Sequence, residues 1–286
     1  MKKTGRILLR ILILIILFLF SFVAVYPLIF LLGGSLKSTP ELGNNLAALW
    51  SADRTLHWTW LPFEPTLRHY MELLLDEPGY YVMFWNSVKI VGGVIGGQLL
   101  LSLPAAWGFA RWQFPGKKIL LSLYIVLMLF PFQVLMLSEY LVLNRMGMID
   151  TLWALILPGV CSTFPVFIMY RFFSKLSKDV IEASTMDGCN VFQQYRYIKL
   201  PLVKNIFSIV IVMLVNGCLK TFDVFYILDN KSRSTEMVAT YMYKTAFNSA
   251  DFGYGSTLSV FLVIECLVAV GIIQKCLGSA KGDGSE

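Results

Sequence analysis

The chain has 286 residues, of which 57% are hydrophobic and 15% charged, and its mean hydropathy is +0.67. This composition is typical of integral membrane proteins and excludes an ordinary soluble or disordered chain. The net charge of +6 does not indicate a nucleic-acid partner, because no basic stripe with interleaved aromatic residues accompanies it.

The first predicted element is a long apolar helix near the N-terminus. An uncharged run extends from Ile11 to Gly34, behind four basic residues among the first ten. About 20 apolar residues cross a hydrocarbon core of roughly 30 Å. A signal peptide has a shorter apolar region of about 7 to 15 residues. We therefore predict a retained transmembrane helix.

Five further apolar runs have the length of a membrane span. They are Ile90 to Ala110, Ile119 to Ser138, Leu152 to Tyr170, Val203 to Val224 and Ser256 to Gln274. With the N-terminus inside, the inner segments hold 15 of the 24 basic residues but 5 of the 18 acidic ones. Lysine and arginine are retained on the cytoplasmic side. The sequence thus predicts an all-α integral membrane protein with six transmembrane helices and both termini in the cytoplasm.

This topology divides the chain into four predicted regions. They are an N-terminal tail with the first transmembrane helix (1–34), an extracytoplasmic loop (35–81), a membrane core of helices 2 to 6 (82–277) that includes a cytoplasmic hairpin (173–203), and a cytoplasmic tail (278–286). The loop carries Trp50, Trp58 and Trp60, which fit either interfacial anchoring or a docking surface for an external partner. Its two histidines lack acidic or cysteine partners, and we predict no metal site.

Glycines and prolines interrupt the predicted spans. The second span carries Gly92, Gly93, Gly96 and Gly97, and this repeat predicts close helix packing. Prolines lie in spans 2 to 4, at positions 104, 131, 158 and 165. Broken helices are tolerated at membrane depth only where protein or a water-filled cavity satisfies the freed backbone groups. The prolines therefore indicate a pathway through the membrane.

Three charged residues lie in or near the last two predicted spans. Lys220 and Asp223 are spaced i, i+3 and can face one another on a continuous helix. Glu265 is near the middle of the last span, where an ionisable group predicts a functional site. A structural ion pair, or a lysine reaching outward to the interface, is the alternative.

A polar stretch, EASTMDGCNVFQQYRYIKLP at 182–201, separates two apolar blocks. Gly188 is well placed to end a short helix that starts near Val180. Asn190 and Gln193 have the spacing of a capping box for a second helix, and Pro201 predicts its end. The segment is therefore predicted as two short helices at a glycine corner. A helix that lies on a membrane surface typically has a polar face rich in lysine, and this segment does not. We therefore predict that it contacts a protein rather than the membrane surface.

These residues resemble a known signature. Glu182-Ala183-Ser184, then Asp187-Gly188, nine residues, and Ile198-Lys199-Leu200-Pro201 are similar to the EAA...G.........I.LP motif of importer permeases in the ATP-binding-cassette superfamily. The resemblance is closest to the carbohydrate-importing branch, of maltose and glycerol-phosphate type. SLKSTPEL, WNS, ARWQFPGKK and MGMIDTLWALILP resemble the second permease of such pairs, whereas FDVFYIL, YMYKTAF and FGYGSTLSV resemble the first. Which member of a pair this chain is stays open.

The resemblance implies a type I importer permease fold in a bacterial inner membrane and a coupling role for the hairpin. It assigns contact with the ATPase to Glu182, Ala183, Ser184, Asp187, Gly188, Ile198, Leu200 and Pro201. The implied partners are a second permease, an ATPase dimer, an extracytoplasmic solute-binding protein and a sugar. The chain itself has no GxxxxGK[ST] phosphate loop, so no catalytic residue is predicted here, and ATP and Mg²⁺ are expected on the ATPase.

For the substrate pathway, the polar and aromatic candidates of spans 4 to 6 are Ser162, Thr163, Asn216, Lys220, Phe222, Asp223 and Glu265. Three alternatives stay open. The solute could be a charged sugar, a phosphate ester or a polyamine; the chain could be an ion-coupled carrier that uses Glu265; or it could be a structural membrane scaffold.

Overall fold

The computed structural model describes residues 2–46, 59, 61–176, 183–184, 186–190, 193–228 and 235–277. Within these ranges the regular structure is entirely helical, which confirms the predicted all-α class. The α-helices are α1 (Lys2–Ser35), α2 (Thr39–Leu46), α3 (Arg68–Met71), α4 (Gly79–Arg111), α5 (Lys117–Leu129), α6 (Phe132–Arg145), α7 (Leu152–Val160), α8 (Thr163–Phe173), α9 (Leu200–Lys220), α10 (Asp223–Leu228), α11 (Val238–Tyr243) and α12 (Phe252–Leu277). Three π-helical segments, Glu72–Asp76, Gln194–Lys199 and Lys244–Asn248, continue α3, precede α9 and continue α11.

Four stretches of helix are long and apolar enough to cross a membrane: Leu9–Ser35, Gly79–Arg111, Leu152–Phe173 and Phe252–Leu277. The pair α5 and α6 forms a fifth if it is one span, and Phe207–Lys220 is a shorter apolar helix. These elements lie at the six predicted positions. The count of six spans and the cytoplasmic side of both termini stay predictions.

The third predicted span is not a single straight helix. It breaks at Phe130 and Pro131, and its two halves are bent by 100°. The fourth is interrupted by a turn at Cys161 and Ser162, in the turn that precedes Pro165, whereas Pro158 lies inside the intact α7. Proline lacks an N–H and crowds the preceding turn, which explains why the breaks lie near prolines. Pro104, in contrast, lies inside an unbroken α4.

The chain falls into two compact units, residues 1–80 with 241–261, and residues 81–240 with 262–286. In the first unit, the side chains of α1 are exposed almost throughout Leu9–Leu32, as expected for a lipid-facing helix. Beyond α1, Leu73 and Leu258 are fully buried, and Thr257 donates to the Ser35 carbonyl at 3.4 Å. The C-terminal end of α1 therefore packs against other residues of this unit, whereas the rest of the helix is exposed.

A buried lysine organises the loop of this first unit. Lys37 is 1% exposed and donates to both the carbonyl and the hydroxyl of Thr59. Asn45 also donates to the Thr59 hydroxyl, and Glu41 accepts from the Phe63 amide. Burial lowers the pKa of Lys37, although the Glu41 carboxylate acts in the opposite direction. These bonds join Thr59 and Phe63 to α2 and to Lys37, just ahead of it, beside the buried Leu42.

The second unit packs its helices through a core that includes Ile90, Val94, Leu155 and Phe225. The close helix packing predicted for the glycine repeat is found at two of its four glycines. A side chain at Gly93 would overlap Ile156, and one at Gly97 would overlap Val160, whereas Gly92 and Gly96 face open space. Helix α4 therefore contacts α7 through Gly93 and Gly97, and this contact positions the cavity described below.

Candidate coupling hairpin and membrane cavity

The glycine corner of the hairpin is formed as predicted. Gly188 has φ +80°, in the left-handed region that favours glycine. The Cys189 N–H donates to the Ser184 carbonyl at 3.1 Å, and the Asp187 N–H donates to the Ala183 carbonyl at 2.9 Å. The 189-to-184 bond is the six-residue closure of a Schellman motif, with Gly188 at the position after the cap. The corner thus ends the first short helix by local chemistry alone.

Asn190 and Gln193 form the predicted capping box. The Asn190 N–H donates to Gln193 Oε1 at 2.9 Å, and the Gln193 N–H donates to Asn190 Oδ1 at 2.8 Å. Each side chain satisfies an amide that the helix start would otherwise leave unpaired. The direction of the second helix is therefore fixed by two residues next to the corner.

Replacing Asn190 by alanine tests this cap. Loss of one bond of the box is expected to cost about 0.5–2 kcal/mol of local stability. Backbone amides of 193–200 should then exchange hydrogen about 2 to 30 times faster. Hydrogen–deuterium exchange followed by mass spectrometry measures this change. Asn190→Ser, which keeps a capping oxygen, should stay near the wild-type rate, and equal exchange in both variants would contradict the assignment.

The predicted end of the second helix at Pro201 is wrong. The chain is helical from Gln193, is π-helical over Gln194–Lys199 and continues as α9 from Leu200 to Lys220. Pro201 is the second residue of α9. The π segment changes the hydrogen-bond pattern just before the proline, where the missing N–H would otherwise interrupt an α-helix.

The predicted coupling residues have different surroundings. Ser184 is buried, whereas Ala183, Asp187 and Gly188 are exposed. Glu182 lies outside the described residues. For Ile198, Leu200 and Pro201 the structure describes the helical backbone only. Among the described parts of the hairpin, Met186 near the corner is 89% exposed and Tyr197 on the π segment is 70% exposed, so apolar as well as polar groups are available to a partner.

The second unit contains a cavity of about 830 Å³ at the two helix breaks. Of the predicted pathway residues, Ser162, Thr163 and Asp223 line it. Asn216, Lys220, Phe222 and Glu265 are not in its lining, and the Asn216 amide donates to the Val212 carbonyl of its own helix at 3.0 Å. The helix breaks that the prolines predicted do border a cavity. Only three of the seven predicted pathway residues line it.

Lys220 and Asp223 do not share a helix. Lys220 is the last residue of α9 and Asp223 is the first of α10, with Thr221 and Phe222 between the two helices. The i, i+3 geometry predicted for them is therefore wrong. Lys220 and Glu265 both lie within electrostatic range of the Cys266 side chain, which brings these two charges to one region of the unit.

Four polar cavity residues escaped the sequence analysis: Gln98 on α4, Gln133 and Glu139 on α6, and Thr221 between α9 and α10. The Gln98 amide donates to the Gly159 carbonyl at 2.7 Å, near the broken end of α7. Gln98 was detectable as a polar residue inside an apolar run. Glu139 follows the predicted end of the third span by one residue, so the straight-span prediction placed it at the membrane edge.

No cluster of three or more histidine, cysteine or acidic side chains is close enough to hold a metal ion within the described ranges. The cavity offers instead carboxylates, amides and hydroxyls beside apolar side chains such as Val94 and Phe164. Such a surface binds polar organic solutes through hydrogen bonds and C–H contacts.

Comparison with known proteins decides the family. Residues 98–280 match the family described as binding-protein-dependent transport system inner membrane component. The chain belongs to this family. It is therefore a multi-pass inner-membrane component of a transport system, and the resemblance read from the EAA-type signature is confirmed.

Several curated relatives of this transport component are permeases. The arabinooligosaccharides transport system permease protein of Halalkalibacterium halodurans is 28% identical over 64% of this chain and 62% of its own length. A putative ABC transporter permease protein of Caldicellulosiruptor sp. is 32% identical over 66% of this chain and 64% of its own. The galactooligosaccharides transport system permease protein of Bacillus subtilis is 28% identical over 66% and 63%. The chain thus spans somewhat less than two thirds of these relatives.

A solved structure shares the fold. A chain of a bacterial ABC transporter involved in the import of the acidic polysaccharide alginate superposes with a TM-score of 0.73 at 18% identity, over 94% of this chain and 96% of that one. The importer permease fold predicted from the resemblance is therefore confirmed.

Proposed function

We propose that this chain is one permease subunit of an ATP-driven, binding-protein-dependent importer of sugars or oligosaccharides. The observation that carries the proposal is the family match over residues 98–280, in a chain whose curated relatives include permeases for arabino- and galactooligosaccharides. The signature hairpin, with its Gly188 corner and its Asn190 cap, supports a mechanical input from an ATPase.

In the proposed complex this chain pairs with a second permease, two ATPase subunits and an extracytoplasmic solute-binding protein. ATP and Mg²⁺ bind to the ATPase, where hydrolysis takes place. Closure of the ATPase pair moves the hairpin, and the permeases switch between outward- and inward-facing states as rigid bodies. The binding protein in a structurally similar alginate transporter was resolved together with its pentasaccharide ligand, which supports such a partner.

Reconstitution tests this proposal. The purified complex with its solute-binding protein should show ATP hydrolysis that some members of a panel of oligosaccharides stimulate, and labelled sugar should accumulate in the vesicles only with ATP. Failure of the chain to co-purify with an ATPase would overturn the proposal in favour of a structural scaffold. Uptake that follows a proton gradient without ATP, and that Glu265→Gln abolishes, would favour an ion-coupled carrier.

A second solute class has one supporting observation. Among the relatives is a sn-glycerol-3-phosphate transport system permease protein of Brucella abortus, 24% identical over 68% of this chain and 69% of its own. Including glycerol 3-phosphate in the uptake panel separates a phosphate-ester importer from a sugar importer.

A further inference from the structure

The ends of three helices meet at one point of the second unit. Arg111 ends α4, and its Nη2 donates to the carbonyl of Leu176, just beyond the end of α8, at 3.4 Å. Lys117 begins α5, and its Nζ donates to the carbonyl of Trp112, the residue after Arg111, at 3.1 Å. Two hydrogen bonds therefore hold the end of α4 against the start of α5 and against the segment that follows α8.

Aromatic packing holds the same three helices together beneath these bonds. The ring centroid of Phe109 on α4 lies 5.6 Å from that of Tyr124 on α5 and 6.4 Å from that of Tyr170 on α8. The Arg111 guanidinium lies over the Trp107 ring, 5.2 Å from its centroid. The meeting of the three helix ends is thus part of the packed fold and does not depend on the exposed side chains around it.

Five cations stand at these helix ends, and we call them the basic junction: Arg111, Lys117, Lys118, Arg171 and Lys175. Lys118, Arg171 and Lys175 are exposed, and the last two are four residues apart at the end of α8. No aspartate or glutamate occurs in 79–138 or 151–178, so the segments that form the junction supply no counter-ion. Retention of lysine and arginine on the cytoplasmic side explains a cation at each helix end, but it does not require the cations to meet. Together they form a positive surface that attracts an anion.

Exposed apolar surface begins next to these cations. None of the residues of α5 is buried, and Ile119, Leu123 and Val126, spaced i, i+4, i+7, are 76%, 49% and 49% exposed on one face. Trp112 is 67% exposed beside Arg111, and tryptophan is typical of the headgroup level of a membrane. Cations followed by an apolar face match the order of headgroup and acyl chain in a phospholipid, whereas a soluble anion would use the cations alone.

We propose that the basic junction binds the headgroup of an anionic phospholipid whose acyl chains lie along the exposed face of α5. The ammonium and guanidinium groups of Lys118, Arg171 and Lys175 donate to the phosphate oxygens. Arg111 and Lys117, which already donate to backbone carbonyls, hold the helix ends in place. The predicted topology puts this end of the helices on the cytoplasmic side, where basic pockets between membrane helices suit such headgroups. The inference goes beyond the proposed function, which concerns the solute.

Photo-crosslinking in the assembled complex tests the site. The complex is reconstituted into nanodiscs of phosphatidylcholine that contain a trace of photoactivatable phosphatidylglycerol, or of phosphatidylcholine with the same photoactivatable acyl chain. Peptide mass spectrometry then locates the labelled residues. The phosphatidylglycerol probe should label 112–126 and 171–176 at least about fivefold more than the phosphatidylcholine probe does. Both probes should label 12–32 of α1 equally.

Charge-removing variants separate a site from general surface charge. Lys118→Gln and Arg171→Gln should each lower the phosphatidylglycerol labelling of the junction about fivefold, whereas Arg171→Lys, which keeps the charge, should retain most of it. Lys275→Gln is the matched control, because Lys275 is an exposed lysine in the last turn of α12 on the same predicted side. It should leave labelling at the junction unchanged. Size-exclusion chromatography of each variant reports on assembly of the complex.

Four results would overturn the inference. They are equal labelling of the junction by the two probes, unchanged labelling in both Lys118→Gln and Arg171→Gln, a loss in Lys275→Gln as large as in those variants, and no labelling of α5 by either probe, which would assign this face to the second permease. Added inorganic phosphate should leave the labelling unchanged, and its abolition would assign the cations to a soluble phosphate instead. Sugar-stimulated ATP hydrolysis decides the proposed function separately from all of these results.

Discussion

A Gly188→Val variant is expected to lose at least about nine tenths of the sugar-stimulated ATP hydrolysis of the reconstituted complex. The backbone at Gly188 has φ +80°, which costs a residue with a Cβ about 1–2 kcal/mol, and more when that carbon is branched. The space around Gly188 is open, so the penalty comes from the backbone and not from a clash. A corner that relaxes to negative φ would turn the first short helix away from the ATPase contact that we propose for it.

The matched control is Gly188→Asn, because asparagine adopts the left-handed region at lower cost than other residues with a side chain. It should keep most of the stimulated activity while adding a side chain of similar size to valine. Both variants should still insert into the membrane and pair with the second permease. Normal sugar-stimulated ATP hydrolysis by Gly188→Val would contradict the coupling role of the corner.

A Gly97→Leu variant is expected to destabilise the second unit by about 1–3 kcal/mol or more, because it overpacks the contact between α4 and α7. A Cβ at this position would overlap the Val160 side chain, with Cγ1 at 2.9 Å. Valine is stiff at χ1 and cannot swing aside as a longer side chain would. The temperature of unfolding, followed by fluorescence-detected size exclusion after heating, should fall by about 2–12 °C.

Gly96→Leu is the control one position away. Gly96 has nothing within 4 Å of an added Cβ, so the variant should unfold within about 1–2 °C of the wild type in the isolated chain. If both leucine variants lower the unfolding temperature equally, general helix propensity or lipid contact explains the effect and the α4–α7 packing does not.

Local signals in the sequence were enough to predict several features. The apolar run of α1, the glycine corner at 188 and the capping box at 190 and 193 each depend on residues within a few positions of one another. Their geometry therefore does not depend on packing between distant segments. The family signature also consists of closely spaced residues, which explains why the fold class and the family could be predicted from it.

The features that the sequence did not reveal depend on packing between distant segments. Hydropathy shows that 119–138 is apolar but not that it bends by 100° at Pro131. The continuation of helix through Pro201 depends on a π segment that no propensity predicts. The cavity brings Gln98, Glu139 and Ser162 together from three different helices or their junctions, so no spacing along the chain could have identified it. The sequence did not reveal that Lys220 and Asp223 lie on different helices, because it did not predict that α9 ends at Lys220.

The helical path that begins at the Asn190 cap reaches Lys220 without a gap, over 193–220. At about 1.5 Å per residue this is a rod of roughly 40 Å. Met213, Leu214, Gly217 and Cys218, near its far end, form part of the cavity wall. One continuous helical stretch therefore joins the corner to the cavity wall, and the π segment and Pro201 are the positions along it where a bend would form. How much of a displacement of the corner reaches the cavity would then depend on the rigidity of these positions, and not only on contact at the corner.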